Sequence, residues 1–314
     1  LPRSRPVGIA GRLAIPTGAE AVRGIGFILA GYLIITAADA AVKWALPEVG
    51  VAVSMLFRGV IGAAAVAIIT RGRGLRPVNR PLIAARGLLH CCVSATWYWA
   101  WQRAMPLVDS YAVACVTPLL MTLLAIPMLG EQVGWRRWVS TAIGFVGVLV
   151  MLQPSGDLWR IETPFLLAAV GVMAVTRIWT RVLAATDSPG AVAFWLLVAH
   201  IPVGIALLPA FPPPAELPSL GVVLALVGFG IANALAHVLF ARAFALAPVS
   251  ALAPYEYSPL LWGGLLGFAI WVEVPSWTTL AGAAVVIAAG LYNLHRERVR
   301  RSAERQAALD PTRP

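Results

Sequence analysis

Ten long apolar stretches run through this chain, near residues 24–45, 51–70, 82–102, 108–129, 135–152, 163–183, 190–209, 219–241, 250–271 and 276–295. A helix needs about 20 mostly apolar residues to cross the hydrocarbon of a bilayer. In lipid every backbone N–H and C=O must find its partner inside the protein, which leaves helices or a closed barrel. The runs are unbroken and lack the ~10-residue alternating segments of a barrel strand. Composition agrees: the chain is 60% hydrophobic and 12% charged, where soluble domains hold about 45–50% and ~25%. The expected fold is an all-α polytopic membrane protein with ten transmembrane helices.

The net charge of +10 would suit a nucleic-acid partner, but its placement argues for topology instead. Basic residues gather in alternate loops and at both ends: Arg3, Arg5, Arg12 and Arg23; Arg71, Arg73, Arg76, Arg80 and Arg86; Arg136 and Arg137; Arg181; Arg242; and a run from Arg296 to Arg313. The intervening loops hold only Arg103 and Arg160. Cytoplasmic loops collect Lys and Arg, so both termini are expected inside. No basic face interleaved with aromatics lies outside the expected spans, which excludes a nucleic-acid role. Lys43 is the single lysine, a bias typical of a GC-rich genome, and the expected location is a bacterial inner membrane. Cys91, Cys92 and Cys115 fall within expected spans, without metal-ligand spacing, and are read as small apolar fillers. No phosphate-binding loop, H-E-x-x-H or G-x-S-x-G motif is present. Neither an enzyme nor a bound cofactor or metal is expected, and a monomer suffices.

The sequence repeats itself. Arg103-Ala104 leads through Pro118-Leu119-Leu120 to Glu131 and Trp135; Arg242-Ala243 leads through Pro259-Leu260-Leu261 to Glu273 and Trp277. Five spans per repeat is odd, so the second copy enters the membrane inverted, an arrangement that builds central sites in secondary transporters. These tandem segments, with Arg58 in the second span, resemble the drug/metabolite transporter superfamily in its ten-helix EamA-type branch. Among its members, the aromatic amino-acid exporters are the most similar. The resemblance implies two inverted five-helix repeats around a central cavity and export of small metabolites, commonly amino acids, by alternating access. The expected organisation is a cytoplasmic tail (1–23), a first repeat (24–152), an extracytoplasmic linker (153–162), a second repeat (163–295) and a basic cytoplasmic tail (296–314). Nucleosides, drugs or lipids are the alternative cargo.

Function is expected where polar residues interrupt the spans, because a charge at mid-bilayer costs about 2.5–3.5 kcal/mol and is kept for a reason. Tyr32, Thr36, Asp39 and Lys43 share one helical face. Asp39 and Lys43 form either a structural pair or part of a cavity wall, since residues four apart can meet. His90, Ser94, Tyr98 and Trp101 share another face, and the repeat places Asn233 and His237 opposite them. Trp99 and Trp101 fit either a cavity or an interfacial aromatic belt. Tyr111 and the segment Pro254-Tyr255-Glu256-Tyr257-Ser258-Pro259 add rings and an acid at a kink. The expected cargo lining is His90, Ser94, Tyr98, Trp101, Tyr111, Asn233, His237, Tyr255 and Tyr257. Asp39, Lys43, Arg177 and Glu256 are expected to gate or to couple charge. Arg58 and Arg177 are either structural or hold the ends of a zwitterion.

Overall fold

The computed structural model describes residues 18–130, 135–152, 160–289 and Tyr292. Regular structure among them is helical throughout. Helix α1 runs Gly18–Ile69, α2 Arg80–Gln102, α3 Leu107–Ala114, α4 Thr117–Leu129, α5 Trp135–Leu152 and α6 Glu162–Leu183. Helix α7 spans Pro189–Leu207, α8 Leu220–Leu246 and α9 Val249–Leu252; a 3-10 turn over Ala253–Tyr257 leads into α10, Ser258–Trp271. A last apolar helix, α11, covers Trp277–Ala289.

Among the described residues, five helical stretches are long and apolar enough to cross a membrane: Glu20–Ile69, Leu107–Leu129, Glu162–Leu183, Pro189–Leu207 and Leu220–Leu246. The expectation of ten transmembrane helices in two five-helix repeats is therefore corrected. The protein is an all-α multi-pass membrane protein with five such segments in the described part. The causes are local. Stretches 24–45 and 51–70 form one helical run, α1, kinked at Gly50, where φ is 71° and ψ 177°. Only glycine adopts that conformation freely, so the chain bends there without a loop. Helix α2 fills 82–102, but Arg86, His90, Ser94 and their polar neighbours dilute its apolar character. The stretch 250–271 breaks into α9, the 3-10 turn and the 14-residue α10, because Pro254 and Pro259 each remove a backbone donor. Helix α5 contributes only the short apolar segment Ala142–Met151, and α11 is short as well. Glu131, the terminal arginines and most of the expected linker lie outside the described residues.

The bundle is centred on α1, which packs chiefly against α8 and α7. Small residues make that approach possible, as is usual between helices in lipid. A Cβ on Gly230 would meet Ile61 at 2.6 Å, and one on Gly62 would meet Leu197 at 2.9 Å. At the arginine-rich end, Asp187 accepts from the backbone N–H of Val78 (2.7 Å) and of Asn79 (3.2 Å). Nearby, Arg86 donates to Thr180 Oγ1 at 2.8 Å, and Arg181 donates to the carbonyls of Phe244 and Ala245, both at 2.8 Å. At the other end Lys43 pairs with Glu273, whose second oxygen accepts from Leu107 N–H at 2.8 Å. Arg103 pairs there with Glu162, and Glu48 accepts from Ser219 N–H at 2.8 Å.

Candidate functional site

Between these two tied ends lies a cavity with about 680 Å³ of empty space, its open mouth included. Helix α1 supplies Tyr32, Asp39 and Arg58; α2 supplies His90, Ser94, Trp97, Tyr98 and Trp101. Tyr111 comes from α3, Thr117 from α4, Arg177 from α6, His237 and Phe240 from α8, and Glu256 from the 3-10 turn. The α2 residues converge because spacings of three and four put them on one helical face. Trp101 and Tyr98 stack with centroids 6.0 Å apart at 28°. The Trp101 indole donates to Ser110 Oγ at 3.0 Å, so this ring belongs to the cavity wall. Trp99 faces elsewhere, edge-on to Phe165 at 5.4 Å.

Arg58 is the organising charge. Its Nη1 donates to Ser94 Oγ (2.9 Å) and Tyr98 Oη (2.8 Å). Its Nη2 meets His237 Nε2 at 2.8 Å and, more distantly, His90 Nε2 at 3.4 Å. The His90 and His237 rings stand edge to face at 5.3 Å, and Ser94 Oγ reaches His200 Nε2 at 3.1 Å. Arg58 is 5% exposed and forms no ion pair among the described residues. A buried cation with neutral partners alone carries several kcal/mol of uncompensated desolvation cost.

A second charged group lines the same cavity. Arg177 Nε and Glu256 Oε1 are 3.5 Å apart, and the Arg177 guanidinium sits 4.6 Å from the Phe240 ring and 5.6 Å from the Tyr32 ring. Asp39 accepts the Tyr111 hydroxyl at 2.6 Å. The cavity thus holds two carboxylates and two guanidinium groups among aromatic rings, with only Arg177 matched to an acid at contact distance.

Several expected site residues meet here: His90, Ser94, Tyr98, Trp101, Tyr111, His237, Asp39, Arg177 and Glu256 all line the cavity. Four do not. Lys43 pairs with Glu273 instead of Asp39 and lies 4.5 Å from the Trp271 ring. Asn233 is fully buried and donates to the Phe229 carbonyl at 2.9 Å. Tyr257 places its hydroxyl beside Gly144, and Tyr255 is half-buried against the apolar cluster around Ile28 and Phe244. Sequence reasoning left Arg58 outside the cargo lining and did not single out His200. The available signal was the same for both, an ionisable side chain deep in an apolar run: Arg58 in the second stretch and His200 in an otherwise apolar helix.

The chain matches the EamA-like transporter family over residues 22–153. It is 29% identical over 192 residues to a riboflavin transporter of Vibrio cholerae, covering 61% of this chain and 63% of that one. It is 30% identical over 227 residues to a riboflavin transporter of Rhizobium johnstonii, covering 71% of this chain and 70% of that relative. An S-adenosylmethionine uptake transporter of Rickettsia bellii is 27% identical over 232 residues, covering 74% and 78%. One crystal structure of a protein shares the fold, with a TM-score of 0.66 at 18% identity, over 84% of this chain and 95% of that chain.

Proposed function

Because this chain belongs to the EamA-like transporter family, and so moves small molecules rather than transforming them, we propose that its cargo is a metabolite bearing a heteroaromatic ring. The carrying observation is the cavity lining: Trp97, Tyr98, Trp101 and Phe240 stand around the Arg58 cluster. Flat rings bury well against aromatic walls, while a few fixed polar groups orient them. Riboflavin and S-adenosylmethionine, for which the three relatives are named, both contain such rings. None of these three is named for an aromatic amino acid, so the exporter subtype expected from the resemblance is the second reading. One observation favours it: Asp39 and Arg58 line the same cavity, which suits a zwitterion.

The proposed transport cycle is that of a carrier, reorienting one central site. Counterflow in proteoliposomes tests it. Vesicles are loaded with unlabelled riboflavin, adenosine, phenylalanine or alanine and presented with the same compound labelled. Accumulation of riboflavin or adenosine, with none of alanine, is expected. Accumulation of phenylalanine alone moves the cargo to the second reading, and equal accumulation of ringless alanine removes the aromatic reading.

A further inference from the structure

Three hydrogen-bond donors around Arg58 have nothing to donate to. A guanidinium only donates, so Nε2 of His237 and of His90 must accept from it, and each ring proton sits on Nδ1. Both Nδ1 atoms, and Arg58 Nε, are buried without a hydrogen-bond partner. Buried donors are nearly always satisfied, so each such group asks for an explanation. The cluster is donor-rich, positively charged and free of any contacting carboxylate among the described residues.

We infer that Arg58, flanked by His90 and His237, anchors a pair of adjacent acceptor atoms on the cargo, a carboxylate or the O/N edge of a heteroaromatic ring. Nη1 is committed to Ser94 and Tyr98, so the two acceptors meet the Nε/Nη2 edge of the guanidinium. There Nε–H is unpaired, and the 3.4 Å contact from Nη2 to His90 is the weakest of the set. A lysine ammonium has no such planar edge. The ring edge and the carboxylate share this chemistry. Cytidine presents adjacent O2 and N3 acceptors, whereas uridine interrupts them with an N–H. Phenylalanine presents a carboxylate, whereas phenylalaninamide does not. This inference rests on the aromatic-cargo reading for the cavity around it, but it can fail or stand apart from that reading.

The test is calorimetric titration of the full chain in detergent micelles with cytidine, uridine, phenylalanine, phenylalaninamide and succinate, repeated on Arg58→Lys. At least one matched pair is expected to differ tenfold or more in Kd, cytidine over uridine for a ring edge or phenylalanine over its amide for a carboxylate. The lysine variant is expected to erase that difference. Ring compounds that bind without discrimination within either pair, or discrimination retained by Arg58→Lys, overturn the anchor and leave the aromatic reading standing. Binding of ringless succinate alone, lost in Arg58→Lys, supports the anchor and removes the aromatic reading. No binding of any probe overturns the anchor, and the counterflow of riboflavin and adenosine decides the aromatic reading apart from it. Should Arg58→Lys fail to fold, the matched pairs on the unaltered protein decide alone.

Discussion

Tyr111 donates its hydroxyl to Asp39 at 2.6 Å, while Gly263 packs closely against its ring. Tyr111→Phe keeps the ring and removes the donor, leaving a half-buried carboxylate short of a partner. Such a loss costs about 1–3 kcal/mol. Thermal unfolding in detergent is expected to show a lowered midpoint, partly restored by adding Asp39→Asn; an unchanged midpoint would mean that the bond contributes nothing. Glu256→Gln strips Arg177 of its acid, and removing one partner of a buried pair costs ~3–5 kcal/mol. The same assay reads that larger drop, and the Glu256→Gln, Arg177→Met double variant is expected to recover part of it. Single residues also mark how far sequence could reach. The shared face of His90, Ser94, Tyr98 and Trp101 follows from helical spacing alone. The partners of Arg58 do not, because they depend on which side chains from α2 and α8 arrive beside it and on no acid arriving.

Glu273 ties three elements together: it pairs with Lys43 of α1, accepts the first N–H of α3, and lies two residues beyond the end of α10. A carboxylate at a helix N-terminus also meets the positive end of the helix dipole. Glu273→Ala is therefore expected to destabilise more than Lys43→Met. Because both act on one contact, the double variant should fall short of the sum by about 0.5–3 kcal/mol. Midpoints that add would show the pair to be uncoupled. The partner of Lys43 was not legible in the sequence, where the four-residue spacing to Asp39 offered a nearer candidate; the true one lies 230 positions away. Hydropathy located most helices to within a few residues. It misjudged those where polar groups turn inward, as in α2, and those that prolines cut short, as around α10.

The ends of the molecule differ in charge, and that asymmetry should set its orientation. Val78 is exposed in the arginine-rich loop beside Asp187, and Leu217, 94% exposed, lies at the opposite end near Glu48 and Ser219. By the rule that cytoplasmic loops carry the Lys and Arg, a membrane-impermeant maleimide should label Leu217→Cys in intact cells. Val78→Cys should react only after permeabilisation, both in a background carrying Cys92→Ser. The reverse labelling pattern would invert the topology. Across the membrane itself, one helix supplies two charged groups of the cavity. The limb of α1 before Gly50 carries Asp39, the limb after it carries Arg58, and only the kink separates them. The helix therefore works as a pair of callipers, its jaws tipped with an acid and a base, and a single glycine angle sets the gap between them.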